Sequence, residues 1–201
     1  MGVQTDVQVK FIADENAADP DRLVTAARPN TSATMAATTF LGGGARNVTV
    51  TTAGTGDNAK TNTIVGTDVF GNALSEVITS TGSAEAVAGA KLFLTVTSVT
   101  SSAQFAANIT VGSGSLCAKS VGGGVRARLV GTSIVSAGTA GLVDFYNGTP
   151  DTGTIIFKAQ TIGTDHATVD NTIPDEGLLF KDGLSVGYTV ATVSLMNIFH
   201  S

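Results

Sequence analysis

From Val48 onward, β-branched residues alternate with small polar ones in short runs bounded by Gly, Asn and Asp. A two-residue period of this kind marks half-buried strands, because successive side chains point to opposite faces. Helical periodicity is nearly absent. The pattern predicts strands over residues 47–52, 61–67, 74–80, 92–100 and 108–111. A second set is predicted over 125–135, 141–146, 154–160, 167–173, 184–189 and 192–199. The spacing leaves no room for the long crossovers that parallel pairs need, so the sheets are expected to be antiparallel. Turn chemistry agrees. Gly71 and Asn72, residues that tolerate positive φ, sit between two alternating runs, and the Gly- and Asp-bearing stretch 147–153 does the same later in the chain.

Two glycine triplets, Gly42–Gly44 and Gly122–Gly124, each precede an arginine (Arg46, Arg126) and then a strand pattern. A phosphate-cradling loop requires a helix after it rather than a strand, so the triplets read as junctions. The expected architecture is all-β. It comprises two antiparallel sandwich or barrel-like modules in tandem, at 45–121 and 125–201, preceded by an extended N-terminal arm, 1–44. Within the arm, residues 7–11 alternate as one strand and residues 21–27 allow a short helical turn. The remainder buries little by itself, so it is expected to stay loose unless it pairs with another surface.

Charged residues make up 13% of the chain, about half the usual share, and Thr, Ala, Ser and Gly replace them. With 11 Lys+Arg against 16 Asp+Glu and a pI near 4.8, there is too little positive charge to neutralise a run of phosphates. Nucleic acid and anionic membrane surfaces are therefore not expected as partners. The single cysteine, Cys117, excludes an intrachain disulfide and a multi-cysteine metal site. Residues 1–6 show neither a signal-peptide pattern nor the myristoylation pattern, and no apolar run reaches the ~18–20 residues of a membrane helix. A chain made in a cytoplasm and remaining soluble is the expectation.

Candidate chemistry is sparse. A hydroxyl nucleophile needs a base, and the two histidines are His166, in a turn-like sequence, and His200, near the last residue. The stretch around Asp57, Asn58 and Lys60 loosely resembles a nucleotide-binding loop, but Ala59 stands where glycine should precede the lysine. Asp170, Asp175, Glu176 and Asp182 form an acidic cluster whose spacing matches no calcium loop. Asn30, Asn47, Asn108 and Asn147 each begin an Asn-x-Ser/Thr triplet, which a threonine-rich chain produces by chance. No catalytic, cofactor-binding or metal-binding residue is assigned, no cofactor is expected, and the chain is not expected to be an enzyme. The aromatic residues, nine Phe and two Tyr with no Trp, read as core, which weakens a sugar-binding reading.

Two stretches carry a resemblance. Gly66, Thr67, Asp68, Gly71, Asn72, Leu74 and Glu76 form a hairpin pattern that leads to a strand pattern at Lys91, Phe93 and Thr95–Val99. This region, about 45–115, resembles a module of tailed-bacteriophage virion proteins. Further on, Pro174, Gly177, Phe180, Gly183, Leu184 and Val186 match the ending of another small β module of phage structural proteins. The resemblance implies a non-enzymatic virion component, with no catalytic residue to carry over. Together with the charge-poor sheets it leads to the expectation of a capsid decoration, or cement, protein. Such a protein would be assembled in the host cytoplasm and would sit on the capsid surface with the major capsid protein as partner. Sheet edges need covering, which points to a homotrimer. The alternatives are a tail, adaptor or fibre-base protein and a glycan-binding adhesin of the host surface.

Overall fold

The computed structural model describes residues 7–13, 16–82 and 84–201. The first six residues and Asp14, part of the arm read above, lie outside the described residues. The strands are β1 (Gln8–Ile12), β2 (Val24–Ala27), β3 (Ala45–Thr52), β4 (Thr61–Thr67), β5 (Ala73–Thr79), β6 (Ala86–Phe93), β7 (Thr95–Ser101) and β8 (Ile109–Val121). They continue with β9 (Ala127–Ser136), β10 (Ala140–Asn147), β11 (Thr154–Ile162), β12 (Thr168–Thr172), β13 (Leu178–Phe180), β14 (Leu184–Thr189) and β15 (Val193–His200). Three short 3-10 turns complete the regular structure of the described residues. The protein is all-β with antiparallel pairing, as the alternation requires.

The chain forms two compact units, Ala17–Cys117 and Met1–Asn16 with Ala118–Ser201. The division falls within β8 and not at the Gly122–Gly124 triplet, which instead forms the turn between β8 and β9 with all three glycines at positive φ. The described residues of the N-terminal 44 are shared between the two units: 7–13 and Asn16 fall with the C-terminal half, and those from Ala17 onward with the middle of the chain.

In the unit Ala17–Cys117, β5-β4-β7 make a three-stranded sheet, while β8, β3 and β6 lie side by side in that order with β2 on β8. Both groups contribute to one core. Ile64, Val96 and Val99 from the first meet Val48, Phe93, Ile109 and Val111 from the second, joined by Leu23, Phe40 and Phe105. The segment 31–39 finds its surface along β7. Ser101 N–H donates to Thr31 O, Ala33 N–H to Val99 O at 2.9 Å, and Val96 N–H to Thr38 O at 2.9 Å. No helical turn forms over 21–27: Asp21 lies in a turn, Arg22 and Leu23 in a bend, and Val24–Ala27 is β2, which pairs with β8 around an irregularity at Ala26 (φ +38°), with Leu23 N–H donating to Val111 O at 2.8 Å. Leu23 and Val24 are both fully buried, and burying adjacent side chains beside β8 wins over weak helical propensity.

In the other unit, β1-β15-β9-β12 form one sheet, with β13 also on β9. A second sheet runs β11-β10-β14. Ile12, Met196 and Ile134 align across three neighbouring strands of the first sheet and are buried. Val143, Phe145, Leu184 and Val186 are buried in the second.

Candidate interaction surface

The residues that carry the sequence resemblance turn out to build the fold. Asp68 organises the β4–β5 hairpin. Its Oδ1 accepts from Phe70 N–H at 2.8 Å and Asn72 N–H at 2.9 Å, and its Oδ2 accepts from the Asn72 side-chain amide at 3.0 Å. Gly71 holds φ +88° at the apex, a conformation that costs glycine least. Glu76 and Lys91 then form a reciprocal clamp between β5 and β6. The carboxylate accepts from Ala90 N–H at 2.7 Å, and Lys91 Nζ donates to Ser75 O at 2.7 Å. Gly89 makes room, since a Cβ there would strike the Glu76 carboxylate. Replacing Glu76 by Ala should leave the backbone N–H groups of Ala90 and Lys91 without this acceptor and cost about 1–2 kcal/mol. A urea titration checks this, with Glu76→Gln, which retains an acceptor oxygen, recovering most of the loss.

The second motif is equally structural. Phe180, Leu184 and Val186 are fully buried. Gly177 adopts φ +76° against the Leu129 carbonyl, and Gly183 adopts φ +96° with its backbone close to Gly124.

The candidate chemical groups are dispersed. His166 is exposed, at positive φ, with Nδ1 2.8 Å from Oδ1 of its neighbour Asp165. His200 is buried in β15 opposite Gln8 and Leu129. Burial, reinforced by the charge of Lys10, holds its pKa below the usual histidine value. Asp170, Asp175, Glu176 and Asp182 do not gather. Among the described residues, no three His, Cys, Asp or Glu side chains are arranged to hold a metal ion. Asn47 is buried, with its amide donating to Gly89 O and accepting from Leu116 N–H.

Asp57 and Lys60 do come together, as a clamp on a loop. Lys60 Nζ lies 2.7 Å from Asp57 Oδ1 and donates to Gln104 O at 2.6 Å. The same carboxylate accepts from Ala106 N–H at 2.6 Å and Ala107 N–H at 3.2 Å. Asp57 is fully buried, and the Lys60 ammonium lies 5.3 Å from the centre of the Phe105 ring. Burial by itself pushes the Asp57 pKa up. The Lys60 hydrogen bond, the two backbone donors and the Lys60 charge outweigh it and hold the carboxyl below its ordinary value. With every strong donor already engaged inside the protein, this group pins residues 104–107.

What the structure offers outward is surface. β1 is the terminal strand of its sheet, and Val7, Val9 and Phe11 are 52%, 55% and 56% exposed. Two rows cross the outward face of this sheet. One runs Val9, Phe199, Gly131, Thr172; the other runs Phe11, Asn197, Ser133, Asp170. In these rows Asp170 is the one charge, at the end far from β1. Gly131 has no side chain to fill the space between Phe199 and Thr172, leaving a groove that Val7 also lines. The alternation at residues 7–11 foretold the strand but not this orientation. Ile12, on the opposite face, is the β1 residue that enters the core. The hydrophobic stripe Val7, Val9 and Phe11 is therefore left in solvent.

A second exposed apolar area lies at Leu142, Ile156 and Ile162 on β10 and β11. It is interrupted by the Lys158–Asp144 ion pair at 3.2 Å. Tyr146 stands 3.4 Å from Asp144, and burial together with the Asp144 and Asp151 charges raises its pKa. Comparison with protein-family models, with curated proteins and with solved structures finds no match for this chain.

Proposed function

We propose that this chain is a non-catalytic structural protein of a tailed-phage particle, a capsid decoration protein that binds the major capsid protein on the outer surface of the head. The observation that carries the reading is the uncharged apolar stripe of β1 on a terminal strand, next to Phe199. Soluble proteins seldom leave such a surface unless another molecule covers it. The resemblance of 45–115 and 174–186 to phage virion modules supplies the kind of particle. Burial of apolar area at shell contacts, at about 25 cal/mol per Å² before association costs, would provide the driving force. Repetition over many copies would add avidity. The homotrimer expected from sheet-edge logic belongs to this proposal, as the unit suited to threefold positions.

Imaging of particles assembled with and without the protein tests the reading. Complete heads that break more easily on heating, and regain strength when purified protein is added back, support a cement role. Heads that lack tails, or particles indistinguishable from the complete ones, overturn it.

A further inference from the structure

We infer that β1 is a self-pairing edge: the β1 strands of two copies of this chain align antiparallel about a twofold axis at Val9. Three observations lead there. First, among the described residues β1 ends its sheet, so one side of its backbone presents N–H and C=O groups that another strand can satisfy. Second, its apolar residues at 7, 9 and 11 are more than half exposed and share one face. Centring the pair on Val9 sets Val7 of each copy opposite Phe11 of the other. The row from Phe199 through Val9 then continues without a break into Val9 and Phe199 of the second copy, and Val7 gains Phe11 of the second copy as a same-face neighbour.

The third observation is charge. Lys10 is the one charged residue of β1. With the axis at Val9, each Lys10 faces Gln8 of the second copy. With the axis at Lys10, the two ammonium groups oppose each other, an arrangement that destabilises a strand pair. Among the described residues, the outward face near the axis carries no charge, so these parts of two identical copies meet without repulsion. A strand whose pattern is its own complement when reversed fits a second copy of itself, and such a contact is isologous and closes at two. The inference goes beyond the virion proposal. It draws on the same β1 stripe, but the pairing uses the backbone edge of β1 and leaves the outward face of the stripe open to a capsid, and cross-linking of the purified chain reads the pairing separately from capsid binding.

The test uses the full-length chain. Residues directly opposed across an antiparallel pair have Cα atoms about 4.5–5.5 Å apart, within the range a disulfide spans. Under mild oxidation Val9→Cys should therefore give a covalent product of two chains. Val77→Cys, equally exposed on the sheet face of β5, should not, and the parent's buried Cys117 should remain unlinked. In sedimentation at matched concentration, Val9→Asp should halve the particle mass of the parent, whatever larger assembly the parent forms. Circular dichroism establishes whether Val9→Asp is folded; should it not be, the cross-linking comparison decides. The inference is overturned if Val9→Cys yields no more two-chain product than Val77→Cys. It is overturned equally if folded Val9→Asp sediments with the parent, or if Gln8→Cys links more readily than Val9→Cys.

Discussion

Asp57→Ala is expected to cost the unit Ala17–Cys117 about 2–4 kcal/mol, because a buried carboxylate with two backbone donors and a partly exposed lysine on it is lost. For a unit of this size that corresponds to a fall of roughly 10–20 °C in Tm. The substitution removes the acceptor of the Ala106 and Ala107 N–H groups and the counter-charge of Lys60, whose Nζ keeps Gln104 O as a partner. Calorimetry on the variant checks it, and a change below 1 kcal/mol would contradict the clamp. The same group sets an acid limit. Its folded pKa lies below the ordinary 3.8, so the unfolded chain takes up the proton first. The stabilisation is then complete above about pH 5 and is lost as pH falls through 3.8 towards the depressed folded value. Asp57→Asn should flatten that part of the stability profile.

Phe180→Ala should be comparably severe, about 3–5 kcal/mol, through lost apolar burial and the cavity left behind. Phe180 is fully buried, and β13 sets it opposite Ala127 of β9. Thermal unfolding is the measurement, with Val77→Ala as the contrast: that side chain is 58% exposed and its truncation should stay within about 0.5 kcal/mol. A small effect at Phe180 would mean that the second motif does not anchor the core as described.

Strand type was legible in the sequence wherever β-branched residues alternate. The ranges 61–67 and 184–189 coincide with β4 and β14. The misreadings have local physical causes. Gly112 and Gly114 look like a turn after 108–111, yet β8 runs on through both to Val121. Each marks a close approach instead: a Cβ at Gly112 would strike the backbone of Asp19 and Pro20, and one at Gly114 would strike the Asn47 side chain. The run 92–100 reads as one strand but bends at Leu94, dividing into β6 and β7 of different sheets. Most of β6 escapes notice because alanines there replace the β-branched residues. The outward stripe of β1 was not legible, since alternation gives the period of a strand and not which of its two faces meets solvent.

The pairing of β1 with β15 also bears on how this protein is made. Residues 8–12 leave the ribosome long before residues 193–200, by roughly 10–40 s at usual elongation rates. Throughout that interval the nascent strand has no hydrogen-bonding neighbour in its own sheet, and contacts so distant along the polypeptide form late and slowly. The sticky stripe is therefore shaped into a rigid, addressable edge only after translation has passed β15, so a half-made chain does not present it in that form to other copies.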